Sequence, residues 1–267
     1  MVISNVKKQH GNDIYFMETI NGRVLINNNY VGVLILNNEL QLLKKISICK
    51  GLIIERAVKK NNEILLICSE NEKIIYINCQ NYKYKIIQTK KFGNINFSDF
   101  FEWHENQVIL LDYKGNLFCL DLIKFQLQII HNDKMNFSIQ KTLAIINKFS
   151  IQKVFLSEEK VIVQKSSTVL ELLDYANDMK SIVEFPKAHY YDFEMCDNFL
   201  AAISEKQVFI YSITTMKYTL CSSEDGYRFL RGKFVLEKNN IFFIIISGNK
   251  KNIYETIIKK YVVPINE

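Results

Sequence analysis

Three short apolar runs, closed off by polar turns, recur four times along the chain. Asn62–Gln88 reads NEILLICSENEKIIYINCQNYKYKIIQ and Asn106–Ile130 reads NQVILLDYKGNLFCLDLIKFQLQII. Glu159–Phe185 and Asn198–Cys221 repeat the plan. Runs of about five residues are too short for amphipathic helices and have the length of strands in an antiparallel meander. Composition agrees. Ile is about one residue in seven and Ala about one in forty-five, a bias that disfavours helices and suits a pleated, half-buried surface.

The residues before each meander also agree. Phe101-Glu102-Trp103-His104-Glu105-Asn106 parallels Phe193-Glu194-Met195-Cys196-Asp197-Asn198, and looser copies run from Ile54 and from Phe234. A fourth strand therefore leads into each meander. The connecting turns fall at Asn21-Gly22, Asn61-Asn62, Glu105-Asn106, Glu158-Glu159, Asp197-Asn198 and Lys238-Asn239. Asn, Asp and Gly suit two-residue hairpins because such turns demand positive φ. Six turns spaced roughly 40 to 50 residues apart give six four-stranded units, the period of propeller blades. Central runs such as Gln207–Ser212 and Lys73–Asn78 are continuously apolar, as expected of strands covered on both faces. No Pro precedes Pro186, so the strands keep their ladder donors. The last unit, with strands over Lys238–Ser247 and Asn252–Val263, lacks a fourth strand. Met1–Val6 is expected to supply it, closing the last unit and removing exposed sheet edges. A helix inserted within Met135–Asn147 is compatible with its apolar spacing.

A six-unit meander carrying the segment D-x-x-G-N-L-F-C-L-D, Asp112 to Asp121, resembles the WD40-like β-propeller superfamily. The resemblance covers nearly the whole chain and rests on period and strand pattern, without the Gly-His and Trp-Asp marks of a WD40 repeat or kelch double glycines. It implies an all-β, six-bladed propeller of four-stranded antiparallel blades, a single domain over residues 1–267, and a scaffold role in protein–protein interaction.

The 34 basic and 28 acidic residues give a net charge of +6, which gives some preference for acidic partners. Basic pairs such as Lys44-Lys45 and Lys250-Lys251 are scattered, which argues against a nucleic-acid footprint. The six cysteines form no CxxC or CxxH pair and read as free thiols. No signal-peptide core and no apolar run of membrane-spanning length occurs; the expected location is the cytoplasm, with no membrane partner.

Local signatures of chemistry are missing. A GxSxG elbow, a P-loop, a GxGxxG and an HExxH do not occur. The four His, with Cys and Asp, form no tetrahedral metal spacing. The expectation is a non-enzyme with no cofactor and no metal. The loops inbound to each first strand, Ser47–Leu52, Thr89–Phe97, His131–Thr142, Pro186–Tyr191 and Ser222–Arg228, share one face around the channel. Tyr and Arg in loops carry binding hot spots, so His189, Tyr190, Tyr191, Tyr227, Arg228, Lys90, Lys91 and Phe92 are the candidate residues for a protein or peptide partner. The competing reading has Tyr190 and Tyr191 opening a strand and packing on the neighbouring blade. An alternative function is a small-ligand or carbohydrate site, possibly hydrolytic, at the channel mouth.

Overall fold

The computed structural model describes the chain except residues 93, 94, 96, 113, 115, 131–153, 158, 159, 167, 175–178, 238, 239 and 265–267, with backbone alone at 98–102, 104, 154–157, 160–164, 174 and 179. Residues 135–147, where an inserted helix was compatible with the sequence, and the turns at 158–159 and 238–239 therefore lie outside the described residues.

Strand β1 (Val2–His10) precedes five meanders. The first sheet is β2 (Met17–Ile20), β3 (Arg23–Asn28), β4 (Gly32–Leu36) and β5 (Leu42–Ser47). The second is β6 (Arg56–Lys60), β7 (Glu63–Cys68), β8 (Lys73–Asn78) and β9 (Tyr84–Gln88), and the third β10 (Phe97–His104), β11 (Gln107–Asp112), β12 (Leu117–Asp121) and β13 (Gln126–Ile130). The fourth is β14 (Val154–Ser157), β15 (Lys160–Gln164), β16 (Val169–Asp174) and β17 (Met179–Glu184). The fifth is β18 (Tyr190–Cys196), β19 (Phe199–Ser204), β20 (Gln207–Ser212) and β21 (Lys217–Ser222). The sixth joins β22 (Tyr227–Glu237), β23 (Asn240–Asn249) and β24 (Glu255–Val262) to β1, which pairs antiparallel to β24 from Val2↔Val262 to His10↔Glu255. The start of the chain is thus the fourth strand of the last sheet, and it runs further than the expected Met1–Val6.

The turn chemistry explains the hairpins. Asn21 and Gly22 have φ of 42° and 69°, and Asn61, Glu105 and Asp197 lie at 53°, 47° and 49°. These are the left-handed values that two-residue hairpins require.

The continuous apolar runs follow from burial on both faces. On β7, Ile64 and Leu66 pack with Leu25, Val33 and Ile35 of the first sheet. Their neighbours Leu65 and Ile67 pack with Val108, Leu110 and Phe118 of the third. One strand therefore serves two cores by alternation, and each fully buried aliphatic contributes about 1.5–3 kcal/mol. Comparable clusters join the fourth and fifth sheets (Leu170, Val183; Leu200, Phe209), the fifth and sixth (Ile203, Val208; Phe243, Ile245) and the sixth and first (Ile244, Ile258; Val24, Ile26). Among the described residues, the core group of Ile109, Leu111 and Leu117 draws on the third sheet alone.

Candidate functional site

Each sheet begins at its innermost strand, and the strands nearest the axis carry charge. On β2, Glu18 accepts from the Lys59 ammonium of β6 at 2.7 Å and pairs with Lys233 of β22 at 3.2 Å. Lys233 in turn lies 2.7 Å from Glu194 of β18. Nearer the inbound end, Arg231 meets Asp192 at 3.2 Å. Acid and base alternate across four adjacent blades, two of them from opposite ends of the sequence. Burial alone would raise the Glu18 carboxyl, but Lys233 and Lys59, with a backbone N–H from Thr19, overcome it and hold it at about 2. Burial would lower Lys233, yet the Glu18 and Glu194 carboxylates raise it. Glu194 is left above the usual range by burial, with the Glu18 charge adding to the rise against the pull of Lys233. These acids are committed to lysines, so the channel wall made by these strands is an electrostatic joint between blades.

The inbound loops stand at one end of this channel. Lys90, Lys91, His189 and Arg228 are exposed, and Phe92 and Tyr227 are half-buried. Phe92 packs edge-on against Phe118 at 6.1 Å, with the Lys91 ammonium 4.8 Å from its ring. The Tyr227 hydroxyl donates to Glu255, and this bond raises its pKa ahead of the smaller effect of burial. The structure brings these residues to the same end of the sheets but in three separate loops. Tyr190 differs: it is 2% exposed, packs on Phe185, Phe193 and Phe209, and donates to the Pro186 carbonyl at 2.6 Å. Burial pushes its hydroxyl up to about 12. Tyr191 donates to the Phe229 carbonyl of β22, and burial raises it too. Both tyrosines open β18 and tie blades together, so Tyr190 presents no ring to the loop surface. Residues 131–142, another inbound loop, lie outside the described residues.

The second-to-third-strand loops of the same face went unread in the sequence. They expose Tyr30 (40%), Val31 (37%), Ile253 (51%) and Tyr254 (52%). The signal was present as Asn-Tyr-Val and Asn-Ile-Tyr triplets between strands, but turn residues rather than apolar ones dominate such readings.

A recess of about 460 Å³ lies elsewhere, lined by Tyr76, Asn78, Tyr82, Lys83, Tyr84 and Lys85 at the β8–β9 turn. It occupies the outer part of the second blade at the end opposite the inbound loops, away from the channel mouth.

Among the described residues, no group of three or more His, Cys, Asp or Glu could hold a metal ion, and no helix is long and apolar enough to cross a membrane. Cys49, Cys68, Cys79, Cys119 and Cys221 are free; burial pushes the Cys68 thiol up to about 12 and Cys79 to about 11, which leaves these two packed rather than reactive.

The architecture is that of a β-propeller built from four-stranded antiparallel sheets. Over 97% of this chain and 100% of that one, it resembles the β-propeller domain of Myceliophteria thermophila Cps50 (Swd1), with a TM-score of 0.58 at 7% identity. The computationally designed Ika8 protein (94% and 83% covered, 9% identity) and the Neurospora crassa Pan2 WD40 domain (95% and 76%, 13%) each give 0.46. No protein-family model and no curated protein matches the sequence.

Proposed function

We propose that the protein is a non-catalytic interaction module, one domain over residues 1–267, that holds a protein or peptide partner on its inbound face in the cytoplasm. Lys90, Lys91, His189 and Arg228 contact the partner, with Phe92 and Tyr227 at its margin and Tyr190 and Tyr191 bracing the loop from below. The observation that carries this reading is the contrast within one face: channel charges are paired with one another, while the loop cations are exposed on a rigid scaffold. Loops positioned by a rigid frame are where recognition residues concentrate. A photo-crosslinking amino acid at position 189 or 228 should trap one adduct in the source cells. The same group at the opposite-end Glu105, also exposed, should trap none. Equal trapping at both ends, or none at the inbound face, overturns the proposal.

A second reading, a small-ligand or carbohydrate site, is favoured by one observation: the tyrosine-lined recess at the β8–β9 turn. A ligand bound only by the folded form raises the melting temperature. A glycan panel that shifts it, with the shift abolished by Tyr84→Ala, would support this reading.

A further inference from the structure

The seam between the sixth and first blades carries a patch of different character from the basic loops. Four exposed apolar or aromatic side chains, Tyr30, Val31, Ile253 and Tyr254, come from two loops more than two hundred residues apart in the chain. The backbone holds these loops against one pivot. The Gly11 N–H donates to the Tyr254 carbonyl at 2.9 Å, and the Asn29 amide donates to the Gly11 carbonyl at 2.8 Å. Gly11 sits at φ +73°, with open space where a Cβ would stand. Tyr30 is fixed in place: its ring stacks on Tyr15 at 5.5 Å and its hydroxyl donates to Asp13 at 2.7 Å. A rigid, partly exposed tyrosine beside a second exposed tyrosine has the form of a binding hot spot, since little side-chain entropy remains to be lost.

The charge around the patch gives the chemistry of its occupant. The loop 48–52 wraps Tyr30 and Val31, with the Ile48 and Cys49 N–H groups donating to the Val31 carbonyl at 2.8 and 3.2 Å and Leu52 to that of Tyr30 at 2.8 Å. Lys50 stands exposed at its tip, and Lys251 stands exposed in the loop that ends at Tyr254. Neither lysine makes an ion pair among the described residues. The acids of this end are mostly consumed. Asp13 accepts from Tyr30, Glu255 from Tyr227 and Asn249, Glu224 pairs with Lys259, and Glu205 pairs with Lys250 at 3.2 Å. Glu55 accepts from the Glu70 N–H at 2.9 Å, and Glu55, Glu70 and Asp225 are the exposed acids there that make no ion pair among the described residues. The surface is therefore apolar and aromatic at its centre and basic at its rim.

We propose that the seam patch of Tyr30, Val31, Ile253 and Tyr254, rimmed by Lys50 and Lys251, docks an acidic, apolar-bearing peptide segment of a partner protein. The segment sets its apolar side chains on the tyrosines and its carboxylates against the two lysines. This site rests on the interaction-module reading and adds the partner's chemistry to it.

The test uses the full chain and two fluorescein-labelled peptides. One alternates Glu or Asp with Leu and Phe; the other replaces each acid by Lys. Anisotropy should show binding of the acidic peptide alone, weakening as salt rises, because rim charges act through screened attraction. Tyr254→Ser should weaken it at least about tenfold, and Lys50→Glu or Lys251→Glu about fivefold each. All three positions are exposed, so unchanged melting curves are expected and separate lost binding from lost folding. Equal binding of both peptides, no binding up to about 1 mM, or affinity indifferent to the three variants overturns the proposal. So does a concentration-dependent dimer in sedimentation that Tyr254→Ser dissolves, since a second copy would then be the occupant. Crosslinking at position 189 that persists in Tyr254→Ser would sink the seam site and leave the interaction module standing; absence of crosslinking at every inbound position of the unsubstituted chain would remove both.

Discussion

The innermost strands and the outer turns face the same demand, satisfying polar groups beside a tightly packed core, and meet it by opposite means. At the channel, Glu18, Lys59, Glu194 and Lys233 solve it together, with partners up to 215 positions apart (233 − 18). At the outer ends, the described third-to-fourth-strand turns solve it mostly by local side-chain caps, the first of them also accepting from Asn5 and Lys260 of the sixth sheet. Asn37 accepts from the N–H groups of Glu39 and Gln41 at 3.0 and 2.8 Å, and Asn78 from Gln80 and Asn81 at 3.0 and 3.1 Å. Asp121 accepts from Ile123 and Lys124 at 2.8 and 2.9 Å, and the Ser212 hydroxyl from Thr215 at 3.3 Å. These turns then lean on their own blade's first hairpin: Cys79, Leu122 and Ile213 donate to the carbonyls of Asn62, Asn106 and Asn198 at 2.7–2.8 Å. Local caps tolerate change one at a time. A shared charge network does not, because removing one member strands the others away from water.

The widest gap between the two regions should appear at Lys233. Lys233→Met leaves Glu194 without its lysine and Glu18 with Lys59 alone, and should cost about 3–5 kcal/mol in urea unfolding. Adding Glu194→Gln should recover part of that loss by removing the orphaned charge. A cost below about 1 kcal/mol would put the channel on the same footing as the turns. Acid probes the same network. Glu18 is held at about 2 against an ordinary 4.5, so its folded-state pKa is depressed. Its contribution is complete above pH 4.5 and disappears as pH falls from there towards 2. Melting temperature should drop through that window, and Glu18→Gln should flatten this part of the profile.

Asn27 is an intermediate case, a local residue that does long-range work. It is fully buried on β3, and its side chain accepts from the N–H groups of Tyr15 and Phe16 at 3.0 and 2.9 Å while donating to the Asp13 and Asn29 carbonyls at 2.6 and 3.1 Å. It thereby fixes the crossing from outermost β1 to innermost β2. Asn27→Ala should cost about 2 kcal/mol, since two buried N–H groups lose their acceptor. It should also raise hydrogen exchange at Tyr15 and Phe16. Protection unchanged at both would separate the crossing from its asparagine.

The division between the regions also decides what could be read from the chain alone. Hairpins at Asn21-Gly22, Asn61-Asn62 and Asp197-Asn198 were legible because the residue that must accept positive φ announces itself. The double-sided burial of Ile64 to Ile67 was legible as an unbroken apolar run. The pairing of β1 with β24 followed from counting strands. The charge network was not legible: nothing near Glu18 marks Lys233 as its partner, and a charged residue in a strand ordinarily signals a solvated face. Tyr190 and Tyr191 show the same limit from the other side. Their sequence position allowed both display and packing on the neighbouring blade, and bonds to the Pro186 and Phe229 carbonyls draw them inward. The Tyr30–Tyr254 patch is a product of assembly, made by bringing two distant loops to Gly11.

The smallest effect tests whether side-chain packing offsets backbone strain at the outer turns. Their last turn residue takes the left-handed conformation without being glycine: Leu40, Tyr82, Phe125 and Met216 have φ of 60°, 60°, 53° and 55°. An L side chain there costs on the order of 1 kcal/mol, and three of the four rings and chains recover it by packing. Leu40 is 2% exposed, Tyr82 packs against the core shared by the first two blades, and the Phe125 ring meets Tyr76 at 5.4 Å with the Lys85 ammonium 3.9 Å above it. Met216 is 76% exposed and has little packing to lose. Met216→Gly should therefore stabilise the protein by about 0.5–1 kcal/mol, the relief of strain outweighing the extra freedom of the unfolded chain. Phe125→Gly, by the same geometry with the packing removed, should destabilise it. If both substitutions moved stability in the same direction, side-chain packing would not be what offsets the left-handed strain at these turns.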